Sequence, residues 1–414
     1  MTCNSLPVRI GVACSALLIV AASASAATRY DNGLWWDGSE FVAQSLYVVD
    51  GFFSADRPGS ISEVIDLEGQ YVIPPYAEAH NHNLQNPWLA GRFSEAYVEA
   101  GIFYAMMMCG NSQTRDATIE VLASTPLDVV LVDACITSSD GHPVRMALQP
   151  SHEGAPVPEP EDIYDRSLII MDSVADIESK WPLITASDAG VVKIILVHSE
   201  VSSRRDDEQF FGVNGLEPEV ALKLVPFLQD KGLRVAAHAE SAADFAVAVE
   251  AGVDFIAHVP GYRWWDGHDE QSYRLDDEAI VRAARQETYV ITTASVVNLF
   301  SDQTAEQRQR VQELQAENLA NLQAAGVPVL IGSDRFDANV LAEYDYLAEL
   351  DVFDDQELLN MLTRDTARAI FPGRRIGVLS AGHEASFLVL SDNPLQVRSA
   401  LREPALRVIK GRRL

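Results

Sequence analysis

Two hydrophobic rhythms alternate along the middle of the chain. Short apolar runs recur at 72–79, 102–108, 129–136, 191–197, 233–237, 254–257, 289–293 and 327–331. Runs of this length, dominated by aliphatic residues and bounded by polar ones, predict buried β-strands. Between them, at 217–231, 242–251, 277–286 and 305–325, apolar residues recur every three or four positions, which predicts amphipathic helices. Strands alternating with helices imply parallel pairing through βαβ units. Eight such runs match the number that closes a (β/α)8 barrel, whose chemistry sits where strands end and loops begin. An open doubly wound sheet is the alternative.

Both chain ends follow another pattern, of short alternating runs and tight turns. These lie at 34–38, 43–49, 50–53 and 62–67, and again at 376–378, 385–390 and 406–412. The expected fold is therefore α/β: a TIM barrel over 72–372, with a small β-sandwich domain built from 27–71 and 373–414. The proline-bearing loop at 138–165 is long enough to be a functional lid or a plain surface excursion.

The first 26 residues have their own logic. Arg9 precedes an apolar run, 10–22, that is short for a membrane span. Small residues follow, with an Ala-x-Ala site at Ala24 and Ala26. A positive start, an apolar middle and a small-residue cut site predict a signal peptide cleaved after Ala26, and a periplasmic or secreted protein. An uncleaved anchor is the alternative. Of the four cysteines, Cys3 and Cys14 would leave with the leader. Cys109 and Cys135 would remain, either paired in an oxidising compartment or as two buried thiols. The formal net charge of -29 argues against nucleic acid and anionic membrane surfaces as partners. A small-molecule substrate is the expected partner, with self-association left open.

Candidate chemistry collects at the ends of the predicted strands. The first ends in Ala79-His80-Asn81-His82, and residues i and i+2 of a strand share a face. The fourth carries Lys193 inside Val191-Val192-Lys193-Ile194-Ile195, where an ammonium is costly unless its pKa shifts or it finds a partner. The fifth ends in His238, the sixth in His258 and the eighth in Gly332-Ser333-Asp334. Singly these could be a surface pair, a salt-bridged lysine, core histidines and a helix cap. Together they put imidazole and carboxylate donors on the one face where a barrel works, and such donors suit zinc and its neighbours.

This set resembles the amidohydrolase superfamily of metal-dependent hydrolases, nearest its imidazolonepropionase-like and Xaa-Pro dipeptidase-like branches. His80, His82, Lys193, His238, His258 and Asp334 match that family's ligand positions one by one. The stretches 324–334 and 376–390 resemble its eighth strand and its return to the β-domain. Pro74-Pro75-Tyr76-Ala77-Glu78 departs from the usual entry to strand one, and Ser386 stands where an aspartate is usual.

The resemblance implies two divalent ions, zinc foremost, bridged by Lys193 carboxylated to a carbamate. It implies a water made acidic enough to attack near neutral pH, with Asp334 moving its proton to the leaving group. The implied activity is hydrolysis of an amide-type C–N bond in a small molecule such as an N-acyl amino acid or dipeptide. Esters, lactones and carbamates are alternatives on the same centre, and a non-catalytic binding protein on a degenerate barrel is the alternative of another class. His142 could be a catalytic contact near the substrate carbonyl or a loop histidine. Arg204 and Arg205 could clamp a substrate carboxylate or be a solvated pair. Tyr262, with Trp264 and Trp265, could wall the pocket or pack beneath a loop.

Overall fold

The computed structural model describes residues 27–150, 156–265, 267–301 and 303–414. The expected signal peptide and its cleavage site lie outside the described residues. The parallel strands form two sheets. One has three strands, Tyr76–Asn81, Ile102–Met107 and Asp128–Leu131. The other has seven, in the order Leu168–Ile170, Cys135–Thr137, Val191–Leu196, Arg234–Ala239, Phe255–Ile256, Tyr289–Ile291 and Val329–Leu330. The sheets meet where Ala79 N–H donates to the Ile331 carbonyl (3.0 Å) and Asp334 N–H to the His80 carbonyl (2.8 Å). Gly332 sits at this meeting point, and a Cβ there would stand 2.7 Å from the His80 nitrogen. The close approach of the first and last strands therefore requires glycine.

Two expected strands prove to be broken. The run at 72–79 splits at Pro74-Pro75, whose nitrogens cannot donate to a ladder. Its first half, Tyr71–Ile73, pairs with Phe387–Leu390 near the C-terminus, and only its second half joins the parallel strands. The run at 129–136 splits into Asp128–Leu131 and Cys135–Thr137. Beside that break Cys109 and Cys135 form a disulfide, with Cα atoms 5.1 Å apart. The loop at 138–165 carries the short helices Val144–Ala147 and Pro160–Ile163, and Leu168–Ile170 beyond it is a strand that apolar patterning did not single out.

The chain ends meet in one eight-stranded mixed sheet. The strand Ala27–Trp36 organises it, pairing with Phe41–Val49, Ile61–Asp66 and Tyr71–Ile73. Trp35, Phe53 and Phe387 pack edge-on and tilted within it, and their burial is continuous with the core beneath the parallel strands. The helices follow local signals. Ala242–Ala251 starts at a Ser241/Asp244 capping box and ends at Gly252 with φ 84°, where left-handed backbone favours glycine. Among the described residues no helix is long and apolar enough to cross a membrane.

Candidate metal centre

The meeting of first and last strands builds the centre. His80 and His82 lie at the end of Tyr76–Asn81, with Nε2 atoms 3.4 Å apart. Asp334 Oδ1 lies 3.5 Å from His80 Nε2 and 3.3 Å from His82 Nε2. Two donors about 2 Å from one ion at the tetrahedral angle stand roughly 3.3 Å apart, so this triangle has the dimensions of a coordination face. Lys193 Nζ is 3.2 Å from His80 Nε2. The His258 ring is 4.7 Å from that of His80 and 4.5 Å from that of His238, and its Nδ1 is 3.9 Å from Asp334 Oδ2. His142 stacks on His238 at 5.0 Å. The six residues singled out as ligands thus form one buried cluster, with His142 against it.

The electrostatics keep the imidazoles in the form that could bind a cation. Burial, then the Lys193 charge, holds His80 well below its ordinary pKa and His82 down at about 3. Burial and neighbouring imidazoles depress His258 strongly and His142 to about 3. These rings are neutral near pH 7, the form that offers a lone pair. Burial also pushes Lys193 down and Asp334 up, each partly opposed by the other's charge. Protein groups alone leave an amine facing an imidazole nitrogen in the interior. The neutral imidazoles and the Asp334 carboxylate are a donor set that fits a divalent ion.

The surrounding hydrogen bonds set the tautomers. His80 Nδ1–H donates to the Ala257 carbonyl (2.9 Å), which leaves Nε2 as the free donor atom. His238 Nε2–H donates to Glu240 Oε2 (3.1 Å), leaving Nδ1 free. His258 Nδ1 pairs with Thr293 Oγ1 (2.8 Å). Asp334 adopts left-handed backbone, φ 49°, with the preceding Ser333 pinned by Glu78 through its N–H (2.7 Å) and hydroxyl (3.0 Å).

The amidohydrolase family model matches residues 195–413, just over half of the sequence. The chain belongs to the amidohydrolase family. No curated protein matches its sequence. Among solved structures, the ochratoxinase of A. niger superposes with a TM-score of 0.73 at 18% identity, over 94% of this chain and 95% of that one. A Xaa-Pro dipeptidase with bound methionine gives 0.71 at 16% identity, over 94% and 100%. An amidohydrolase gives 0.69 at 19%, over 94% and 98%. These likenesses are of fold. Membership of the family makes this protein a hydrolase.

In this amidohydrolase, Glu240 is the residue that sequence reasoning missed. It is 4% exposed, and besides His238 it accepts from Tyr262 Oη (2.5 Å) and Trp265 Nε1 (2.6 Å). These hydrogen bonds hold its carboxyl down at about 2, against the desolvation that would raise it. The signal was available: Glu240 stands at i+2 from His238, the spacing that paired His80 with His82.

Both tryptophans line one cavity, and each has a further contact. Trp265 reaches the centre through Glu240 and also lines a cavity of about 360 Å³ with Phe210, Arg145 and Gln307. Trp264 lines the same cavity, stacks near Tyr273 and has Arg310 over its ring. The arginines form no solvated pair. Arg205 is engaged by Asp140 (2.9 Å) and Glu217 (2.5 Å), and Arg204 is 4% exposed, packed over the Phe210 ring at 4.4 Å.

Proposed function

We propose that this amidohydrolase cleaves an amide-type C–N bond of a small molecule, of the N-acyl amino acid or dipeptide class, with two divalent cations, zinc foremost. His80, His82 and Asp334 would hold one cation, His238 and His258 the other, with Lys193 as a carbamate between them. The cations would supply Lewis acidity and an acidified water. Asp334 Oδ takes the proton as the water oxygen bonds to the carbonyl carbon, and returns it to the nitrogen as the C–N bond breaks. His142 would contact the substrate carbonyl and Tyr262 would line its approach, which the stacking of His142 on His238 and of Tyr262 near His258 supports.

The observation that carries this reading is the triangle of His80, His82 and Asp334, at coordination spacing, with a buried amine against it. The reading takes the two parallel sheets as one (β/α)8 barrel over 72–372, and the sheet from the chain ends as a β-sandwich. It also takes the mature chain to act outside the cytoplasm, which the Cys109–Cys135 disulfide supports.

The test screens N-acyl amino acids, dipeptides, esters and lactones against zinc-loaded protein, with metal content measured alongside. Turnover of amides that vanishes in Asp334→Asn, at near two zinc per chain, is the expected result. Turnover of esters alone would move the reading to the ester and lactone class. Protein that takes up no metal would favour a binding role.

A further inference from the structure

A second group of metal-type side chains stands apart from the centre and shares no residue with it. His198, Glu200 and His268 each bring one donor atom into a set whose members all lie within 4.8 Å of one another. His198 and Glu200 follow the strand that carries Lys193, and His268 belongs to the loop after His258. Three features show that the group is built rather than incidental.

First, His198 is 1% exposed and sits in left-handed backbone, φ 46°, which a non-glycine residue adopts only when its surroundings enforce it. The enforcing group is buried Asp244, which accepts from His198 N–H (2.7 Å), Ser199 N–H (2.9 Å) and Ser199 Oγ (2.6 Å). Second, Glu200 is aimed from two sides. Its Oε1 lies 3.0 Å from His198 Nδ1 and its Oε2 accepts from Ser241 Oγ (2.9 Å). Third, with Nδ1–H given to Glu200, the other ring nitrogen of His198, Nε2, carries the lone pair and is enclosed without a partner.

The His268 ring lies over that of His198, with centroids 3.9 Å apart and a tilt of 34°. The local field suits a cation. Arg204 is the nearby positive charge, and Glu240, Asp244 and Glu200 all act on it, three carboxylates against one guanidinium. Glu200 is about one-third exposed, so an ion has a route in.

We propose that His198, Glu200 and His268 form a further divalent-cation site, of the zinc-binding type, distinct from the central one. Two imidazoles and a carboxylate leave the fourth position to water. The ion would tie the loop after Lys193 to the loop after His258. The latter carries Tyr262 and Trp265, which hold Glu240 against His238, so the ion braces one wall of the hydrolytic centre.

The experiment is zinc-edge anomalous diffraction from crystals of the full chain grown with Zn²⁺, with equilibrium dialysis of the parent and His268→Ala. The expected result is an anomalous peak among His198, Glu200 and His268, and one zinc fewer per chain in His268→Ala. Because His268 is half-exposed on a loop, the variant should fold; Glu200→Gln, which keeps an acceptor for Ser241, should lose the same ion. No peak at saturating zinc, with equal zinc content in parent and variants, overturns the proposal and leaves a stacked imidazole–carboxylate pair. A missing peak between His80, His82 and Asp334 counts against the central reading instead, and the two positions are scored separately.

Discussion

The central cluster and the His198 group use the same donors, yet they arise differently. The centre is made at strand ends. His80, Lys193, His238 and Asp334 each follow or interrupt an apolar run, and the sheets carry them to one place. The His198 group is made by loops, fixed not by a ladder but by one buried carboxylate, Asp244, and one hydroxyl, Ser241. The difference teaches what to expect of each. Strand-end donors are positioned by the whole sheet and should keep their places when a neighbour changes, even where their tautomer does not. Loop-held donors depend on a few hydrogen bonds and should be lost singly.

Five variants probe that contrast. The largest effect is expected of Asp334→Asn, which on the proposed reading removes both a donor and the proton carrier. Steady-state assays should show turnover down by about 10²–10⁴-fold. Lys193→Ala should come next, with metal content and turnover falling together and bicarbonate plus a short acid restoring part of each. A fully metallated, active variant would remove Lys193 from the centre. Glu240→Gln releases the tautomer of His238 and should weaken metal affinity at the centre by about 10–100-fold in competition with a chelator. Ser241→Ala, which frees Glu200 and also removes the cap of Ala242–Ala251, should weaken zinc at the second site more than at the centre. The smallest effect on chemistry is expected of Cys109→Ser with Cys135→Ser. Turnover should persist while denaturant unfolding shows a loss of about 2–4 kcal/mol.

Much of the centre was legible because two simple rules govern strands. A buried run ends where polarity begins, and positions i and i+2 face one way. Those rules found His80, His82, His238, His258 and Asp334, and an ammonium among aliphatic neighbours pointed to Lys193. The same rules should have found Glu240, whose carboxylate looked like the first residue of a loop. His198 and His268 were not legible. Nothing in Val197-His198-Ser199-Glu200 marks a left turn of the backbone, because the cause, Asp244, lies 46 residues on. The arginines misled for a similar reason: adjacency suggested a pair, but Arg204 turns inward over Phe210 and Arg205 toward Asp140 and Glu217. In the fold, Pro74-Pro75 was visible, and its missing donors could have predicted the break it makes. The division of 129–136 had no such marker.

That break carries a consequence for the whole chain. Tyr71–Ile73 is clasped by Phe387–Leu390, and two prolines later the same backbone delivers His80 and His82. The last thirty residues are therefore a remote anchor for the first pair of imidazoles. Trimming the C-terminus back past Phe387 would strip that anchor away and slacken the histidine strand, though no donor atom had been touched.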